Sequence, residues 1–217
     1  MNPRLLLLCL LAVTHATATV ALPEGLRFEA GDERGAKWTQ STQWTQWGSG
    51  EMTWFGLALY RATLWVASPR GREDGREMDA VQGGEKHNDK RNDKRDDGGQ
   101  GLLHDDTPFA LTLEYRRDIP AGRIVQASVD EMRKLGASDE QLQRWEREMR
   151  RVFPDVRKGD VLTGLYLPGR GARFFYQARD IGEVRDAEFA RRFFAIWLDP
   201  RTSAPEVRAA LLRQRAG

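Results

Sequence analysis

A charged, low-complexity stretch in the middle of the chain decides which residues are left to build a core. From Pro69 to Asp106 the sequence runs through RGREDGRE and then GGEKHNDKRNDKRDDGGQG. Within it, Asn88-Asp89-Lys90-Arg91 is followed at once by Asn92-Asp93-Lys94-Arg95. Apolar residues are sparse and both signs of charge are mixed, so the stretch cannot bury enough surface to offset its ordering entropy. It reads as a disordered charged insertion at about 69–106, tolerated because closure entropy grows slowly with loop length. A second reading makes it a polyampholyte arm that meets a protein partner. Either way the folded structure has to come from the two flanks, joined in a single domain over 22–217.

The N-terminus has the layout of an export signal. Arg4 gives a positive start, Leu5 to Val13 is a nearly unbroken apolar run, and Ala16-Thr17-Ala18 supplies the small residues of a cleavage site, with Ala21 as a second one. The run is too short to span a bilayer, so residues 1–21 are expected to be a signal peptide, cleaved near 18 or 21. The protein is then periplasmic or secreted, with no stable membrane insertion. The single cysteine, Cys9, lies inside that run. The exported chain would therefore carry no thiol, disulfide or cysteine-bound zinc.

The flanks show clear periodicities. MTWFGLALYRATLWVA, Met52 to Ala67, is apolar, aromatic and rich in β-formers, bounded by Gly48/Gly50 and Ser68-Pro69. It reads as one or two buried strands with the break near Tyr60-Arg61. Phe109, Leu111, Leu113 and Tyr115 alternate with polar or small residues, a half-buried strand. Val125, Val129, Met132 and Leu135 have helical spacing. Ser138 with Gln141 forms a capping box before a second helix, striped by Leu142, Trp145, Met149 and Val152. Val161–Leu167 and Ala172–Gln177 read as a hairpin around Pro168-Gly169-Arg170-Gly171. Asp186 caps a helix carrying Phe189, Phe193 and Trp197 on one face, and Ser203 opens a short last helix with Val207 and Leu211. Strands, two helices, a hairpin and two helices make an α+β layer arrangement rather than alternating βαβ units.

The inventory excludes most catalytic templates. Outside the leader the only histidines are His87 and His104, both in the charged stretch. That removes a Ser-His-Asp triad and a histidine-rich metal site. GRGAR at 169–173 lacks the third glycine and the following helix of a phosphate cradle. A net charge of +2 gives no basic field for nucleic acid, and the arginines of the second helix alternate with Glu140, Glu146 and Glu148 as solvated ion pairs. No catalytic set, metal site or cofactor is expected. The remaining polar groups on strands are Tyr60, Tyr115, Tyr166 and Tyr176. Tyr115 shares the apolar face, and Arg117 would follow it there. Together they form a candidate clamp for a carboxylate or phenolate. Tyr60, Tyr115, Arg117 and Tyr176 are the expected ligand-binding residues.

The order of WFGLALYRATLWVA, PFALTLEYRRDIPAGRI, WEREMRRVFPDVRKGDVLTGLYLPGRGARFFY and FFAIWLDPRTSAPEVRAALL resembles the bacterial chalcone isomerase-like family. The resemblance covers about residues 45–68 and 107–213. It implies an open-faced β-sandwich, with a large antiparallel sheet packed against a helical layer and a ligand cleft between them. Plant enzymes of this fold close chalcones with an Arg, Thr, Lys, Tyr and Asn cluster, whereas fatty-acid-binding relatives use an Arg and a Tyr on a carboxylate. At the enzymes' positions this chain has Gln43 or Trp44, Phe55, Thr107-Pro108, Ile124 and Val125, and Ile181. Apolar replacements there remove the hydrogen bonds that would stabilise a phenolate. The resemblance thus implies a non-catalytic binder of a small fatty-acid-like or phenolic molecule. An intramolecular lyase, or an interaction protein using the charged stretch, are the alternatives.

Overall fold

The computed structural model describes residues 43–54, 56–68, 101–103 and 107–212. The leader expected at 1–21, His87, His104, Phe55 and most of the charged stretch lie outside them. The described residues form six strands in one antiparallel sheet whose spatial order is the chain order. The strands are β1 (Gln43–Trp54), β2 (Leu57–Ser68), β3 (Phe109–Tyr115), β4 (Val161–Leu167), β5 (Gly171–Tyr176) and β6 (Arg179–Val184). The helices are α1 (Ala121–Lys134), α2 (Asp139–Val152), α3 (Ala187–Leu198) and α4 (Pro205–Leu211). The architecture is α+β, a large antiparallel sheet with a helical layer. β3 and β4 are neighbours in the sheet, joined through α1 and α2; α3 lies against β4 and β5, and α4 against β1 and β2.

Local sequence explains most of these elements. Ser138 Oγ accepts from the Gln141 N–H while the Gln141 side chain accepts from the Ser138 N–H, the reciprocal capping box. α2 then buries Leu142, Trp145, Met149 and Val152 as the spacing predicts. α1 has no side-chain cap, and its first free N–H, on Ala121, donates to Asp155 Oδ1 at 2.7 Å. Asp186 Oδ1 accepts from the Phe189 N–H at 2.9 Å and starts α3. Phe189, Phe193 and Trp197 face the sheet and are 0%, 5% and 5% exposed. Each is worth about 1.5–3 kcal/mol of burial, so α3 is the principal bolt between the layers.

Five points of the sequence reading need correction. The first strand ends at Trp54 and the second begins at Leu57, with Gly56 before it at φ 75°; Tyr60-Arg61 lies inside β2, paired to Met52 and Glu51. Gly48 and Gly50 do not end a strand but sit within β1, because α4 crosses it so closely. A Cβ on Gly48 would lie 2.3 Å from the Ala210 carbonyl oxygen. The charged stretch does not extend unbroken to 106. Residues 101–103 are helical, Leu102 and Leu103 are buried, and the Leu103 carbonyl accepts from Tyr166 Oη at 3.0 Å. Two adjacent leucines are enough apolar surface to dock that segment on the core. Finally, β6 follows β5 through a turn at Gln177 and Ala178, and the last helix begins at Pro205 rather than Ser203.

Over the central strands both faces of the sheet are buried. The helix-facing side carries Leu64, Phe109, Leu111, Leu113, Leu162 and Phe174. On the other side Thr63, Thr112 and Thr163 stand in register across β2, β3 and β4, flanked by Trp44, Trp65, Leu165 and Phe175. Trp65 Nε1 donates to Thr112 Oγ1 at 3.2 Å, which satisfies a half-buried indole.

Candidate functional site

The seam between β3–β5 and α3 holds a small cavity of about 10 Å³. Leu111, Leu113 and Leu162 line its sheet side, and Phe194 and Trp197 its helix side. Gly164 forms part of the floor, where a Cβ would meet the Phe194 and Phe174 rings at 3.2–3.3 Å. The space is at the lower limit for one water molecule, and its lining is apolar.

Polar groups gather at one end of this seam. Tyr115 follows Leu113 on the same face of β3, about 7 Å further along, and pairs in register with Tyr60 of β2. Their rings meet edge to face with centroids 5.9 Å apart. Trp197 belongs to both halves of the arrangement. Its ring lines the cavity, and its indole N–H donates to Tyr60 Oη at 3.1 Å. That bond leaves the Tyr60 proton free to be donated. The Tyr115 hydroxyl makes no hydrogen bond among the described residues, although Tyr115 is only 2% exposed.

The electrostatics keep both phenols neutral. Burial pushes Tyr60 up to about 12; the N–H from Trp197 opposes this, and the Glu131 carboxylate adds a smaller upward push. Burial also pushes Tyr115 well above the ordinary phenol value, with the Tyr60 neighbour adding to it. Neither can serve as a base near neutral pH. Each presents a rigid O–H donor instead.

The structure brings together two of the four residues expected from the sequence. Tyr60 and Tyr115 touch. Arg117 is exposed on a bend, because the ladder ends once the Arg116 N–H has reached the Leu59 carbonyl at 2.8 Å. Tyr176 is half-buried, and its hydroxyl is taken up by Asp160 Oδ2 at 2.6 Å. Asp160 also accepts from the Arg157 N–H and Gln177 Nε2, so this tyrosine ties down the turn into β4. The positions matched to the plant enzymes' polar cluster are scattered. Trp44 lies on the sheet face away from the helices with its indole N–H buried and unpartnered, Val125 is on the buried face of α1, and Ile181 is on β6. Trp197 is the site residue that sequence reasoning missed. It reads as one more member of an apolar helix stripe, and only its need for an N–H acceptor marked it out.

The family model described as chalcone isomerase-like matches residues 92–213, more than half of the chain. The chain belongs to the chalcone isomerase-like family. An uncharacterized protein of Haemophilus influenzae is 29% identical over 108 residues, 50% of this chain and 53% of that protein. The chain thus spans about half the length of that curated relative. The crystal structure of an Arabidopsis thaliana fatty-acid binding protein superimposes with a TM-score of 0.54 at 13% identity, covering 78% of this chain and 86% of that one. This last likeness establishes a shared fold. No described helix is long and apolar enough to cross a membrane.

Proposed function

We propose that this member of the family is a binding module, which holds a small molecule with an apolar body and one polar head between β3–β5 and α3. The observation that carries the reading is Trp197, whose ring walls the apolar cavity while its N–H organises the phenol pair beside it. The fatty-acid-binding protein of the same fold makes a long-chain molecule the first ligand class to test. A cavity of about 10 Å³ cannot hold such a ligand, because drug-sized ligands occupy pockets of about 300–1,000 Å³. Binding therefore requires α3 to lift from the sheet or Phe193 and Trp197 to swing aside. The neutral phenols and the scattered polar cluster favour holding over isomerisation.

Export belongs to the same proposal. It rests on the layout of residues 1–21, and N-terminal sequencing of protein recovered from a periplasmic extract tests it. A start at Thr19 or Leu22 supports export, and an intact Met1 rejects it.

The binding test is a titration of the purified chain with the methyl ester of an 18-carbon polyene fatty acid, whose fluorescence rises in apolar surroundings. One-site saturation is expected, with affinity weakened about 5- to 10-fold in Trp197→Phe, which keeps an apolar ring but loses the N–H. A flat titration over the wild-type protein rejects the module.

A further inference from the structure

We infer that the polar end of this site selects a neutral hydrogen-bond acceptor, such as an alcohol, ketone or ester, over a carboxylate. The inference rests on the binding reading above and names the head group that reading leaves open. It follows from which charges reach the phenol pair.

The donors are in place. Tyr115 has an uncommitted hydroxyl, and Tyr60 accepts from Trp197 and so keeps its own proton to give. Two phenolic O–H groups suit a carbonyl or hydroxyl oxygen, which accepts hydrogen bonds and brings no charge into the seam. A carboxylate needs more. Removing an ion from water costs several kcal/mol unless a cation or several donors replace the lost solvation.

The described cations nearest in sequence are turned away. Arg116 pairs with Glu114 and Glu51, Arg61 approaches Glu51, and Arg117 is exposed. From the helical layer Arg192 is committed to Glu188 and to the Leu135 carbonyl, and the half-buried Arg208 donates to the Leu198 carbonyl at 2.8 Å. The charge that does act on Tyr60 has the wrong sign for an anion, being the carboxylate of Glu131 on α1. Its partner Lys134, at 2.7 Å, is 60% exposed and lies on the solvent side. A carboxylate head would enter a low-dielectric seam and meet a carboxylate rather than a guanidinium.

The experiment is calorimetric titration of the full chain with dodecanol, methyl dodecanoate and dodecanoic acid, each below its aggregation concentration. At about pH 8 the acid is ionised. The expected order is binding of the alcohol and the ester, with the acid weaker by at least about 100-fold. Glu131→Gln should narrow the gap between acid and alcohol several-fold. Dodecanoate binding as tightly as dodecanol overturns the inference while leaving the binding module standing. Binding of none of the three rejects the module itself, and the head-group inference with it. A gap unchanged by Glu131→Gln overturns the part assigned to that carboxylate.

Discussion

The crossing of α4 over β1 can be tested one methyl at a time. A Cβ on Gly48 would lie 2.3 Å from the Ala210 carbonyl oxygen and 2.4 Å from that of Leu211, both backbone atoms. A Cβ on Gly50 would instead meet the Ala210 Cβ at 2.9 Å and the Val207 Cα at 3.3 Å. The first obstacle cannot be trimmed; the second is largely one methyl group. Gly50→Ala should therefore cost what overpacking usually costs, about 1–3 kcal/mol. Gly48→Ala forces α4 off the strand and exposes Val207 and Leu211, which are 4% and 0% exposed in the fold. At about 1.5–3 kcal/mol for each side chain, full loss amounts to about 3–6 kcal/mol. The gain from replacing glycine in the unfolded chain, about 0.4–1 kcal/mol, is too small to reverse either sign. Urea unfolding followed by tryptophan fluorescence measures both. Ala210→Gly in the Gly50→Ala background should recover the overlap, less the cost of a helical glycine of about 1 kcal/mol, and should not recover Gly48→Ala. If Gly48→Ala lies within about 0.5 kcal/mol of wild type, or Ala210→Gly rescues both variants equally, the close-approach argument is wrong.

Two further predictions concern carboxylates that join elements. Asp186 is partly buried, which alone would raise its pKa, but donation from Trp145, the Phe189 N–H and Arg144 outweighs burial and holds it below the ordinary aspartate range. A lowered folded-state value gives stability that is present above the unfolded value of about 3.9 and is lost as pH falls through the folded one. Thermal melts from neutral pH into that acid range should show a smaller acid loss for Asp186→Asn than for wild type, and equal slopes would contradict the assignment. Asp186→Ala also strands the Trp145 N–H, now 2.9 Å from its acceptor, and should cost about 2–4 kcal/mol in the same melts at neutral pH. Tyr176→Phe should cost about 1 kcal/mol or less, since its bond to Asp160 is partly exposed, and should leave polyene binding unchanged. A tenfold loss of affinity would return Tyr176 to the ligand site.

The helices and the β4–β5 hairpin were legible because their signals are local. A capping box, an aspartate cap and a proline-glycine turn each name a position within a few residues. β6 was hidden for the converse reason. The turn before it uses Gln177 at φ 48° and Ala178 at φ 65°, whereas glycine or asparagine is the residue that normally advertises such a turn. Gly48 and Gly50 misled in the same way. Glycine inside an apolar stretch reads as a boundary, and only the presence of α4, more than 150 residues later in the chain, shows that it marks a close crossing.

The site was half legible for a reason that lies in the ladder. Alternation of side chains is a property of paired strands and holds only while pairing lasts. Tyr115 is still inside it, since its N–H reaches the Asp160 carbonyl at 2.8 Å and its register partner is Tyr60. Beyond Arg116 the chain bends toward the isolated bridge between Ile119 and Val156, so the rule that carried Tyr115 inward says nothing about Arg117. A clamp made from alternate strand residues thus depends on where the neighbouring strand stops, and β4 begins only at Val161, paired with Glu114. Lengthening that pairing by three residues, to Arg117, would turn Arg117 toward the phenols. As the fold stands, the cation is outside and Trp197 takes its place as the group that orients the site, exchanging a charge for an N–H donor. That exchange is what makes the head-group titration decisive: the same scaffold with an inward arginine should prefer the acid, and this chain should refuse it.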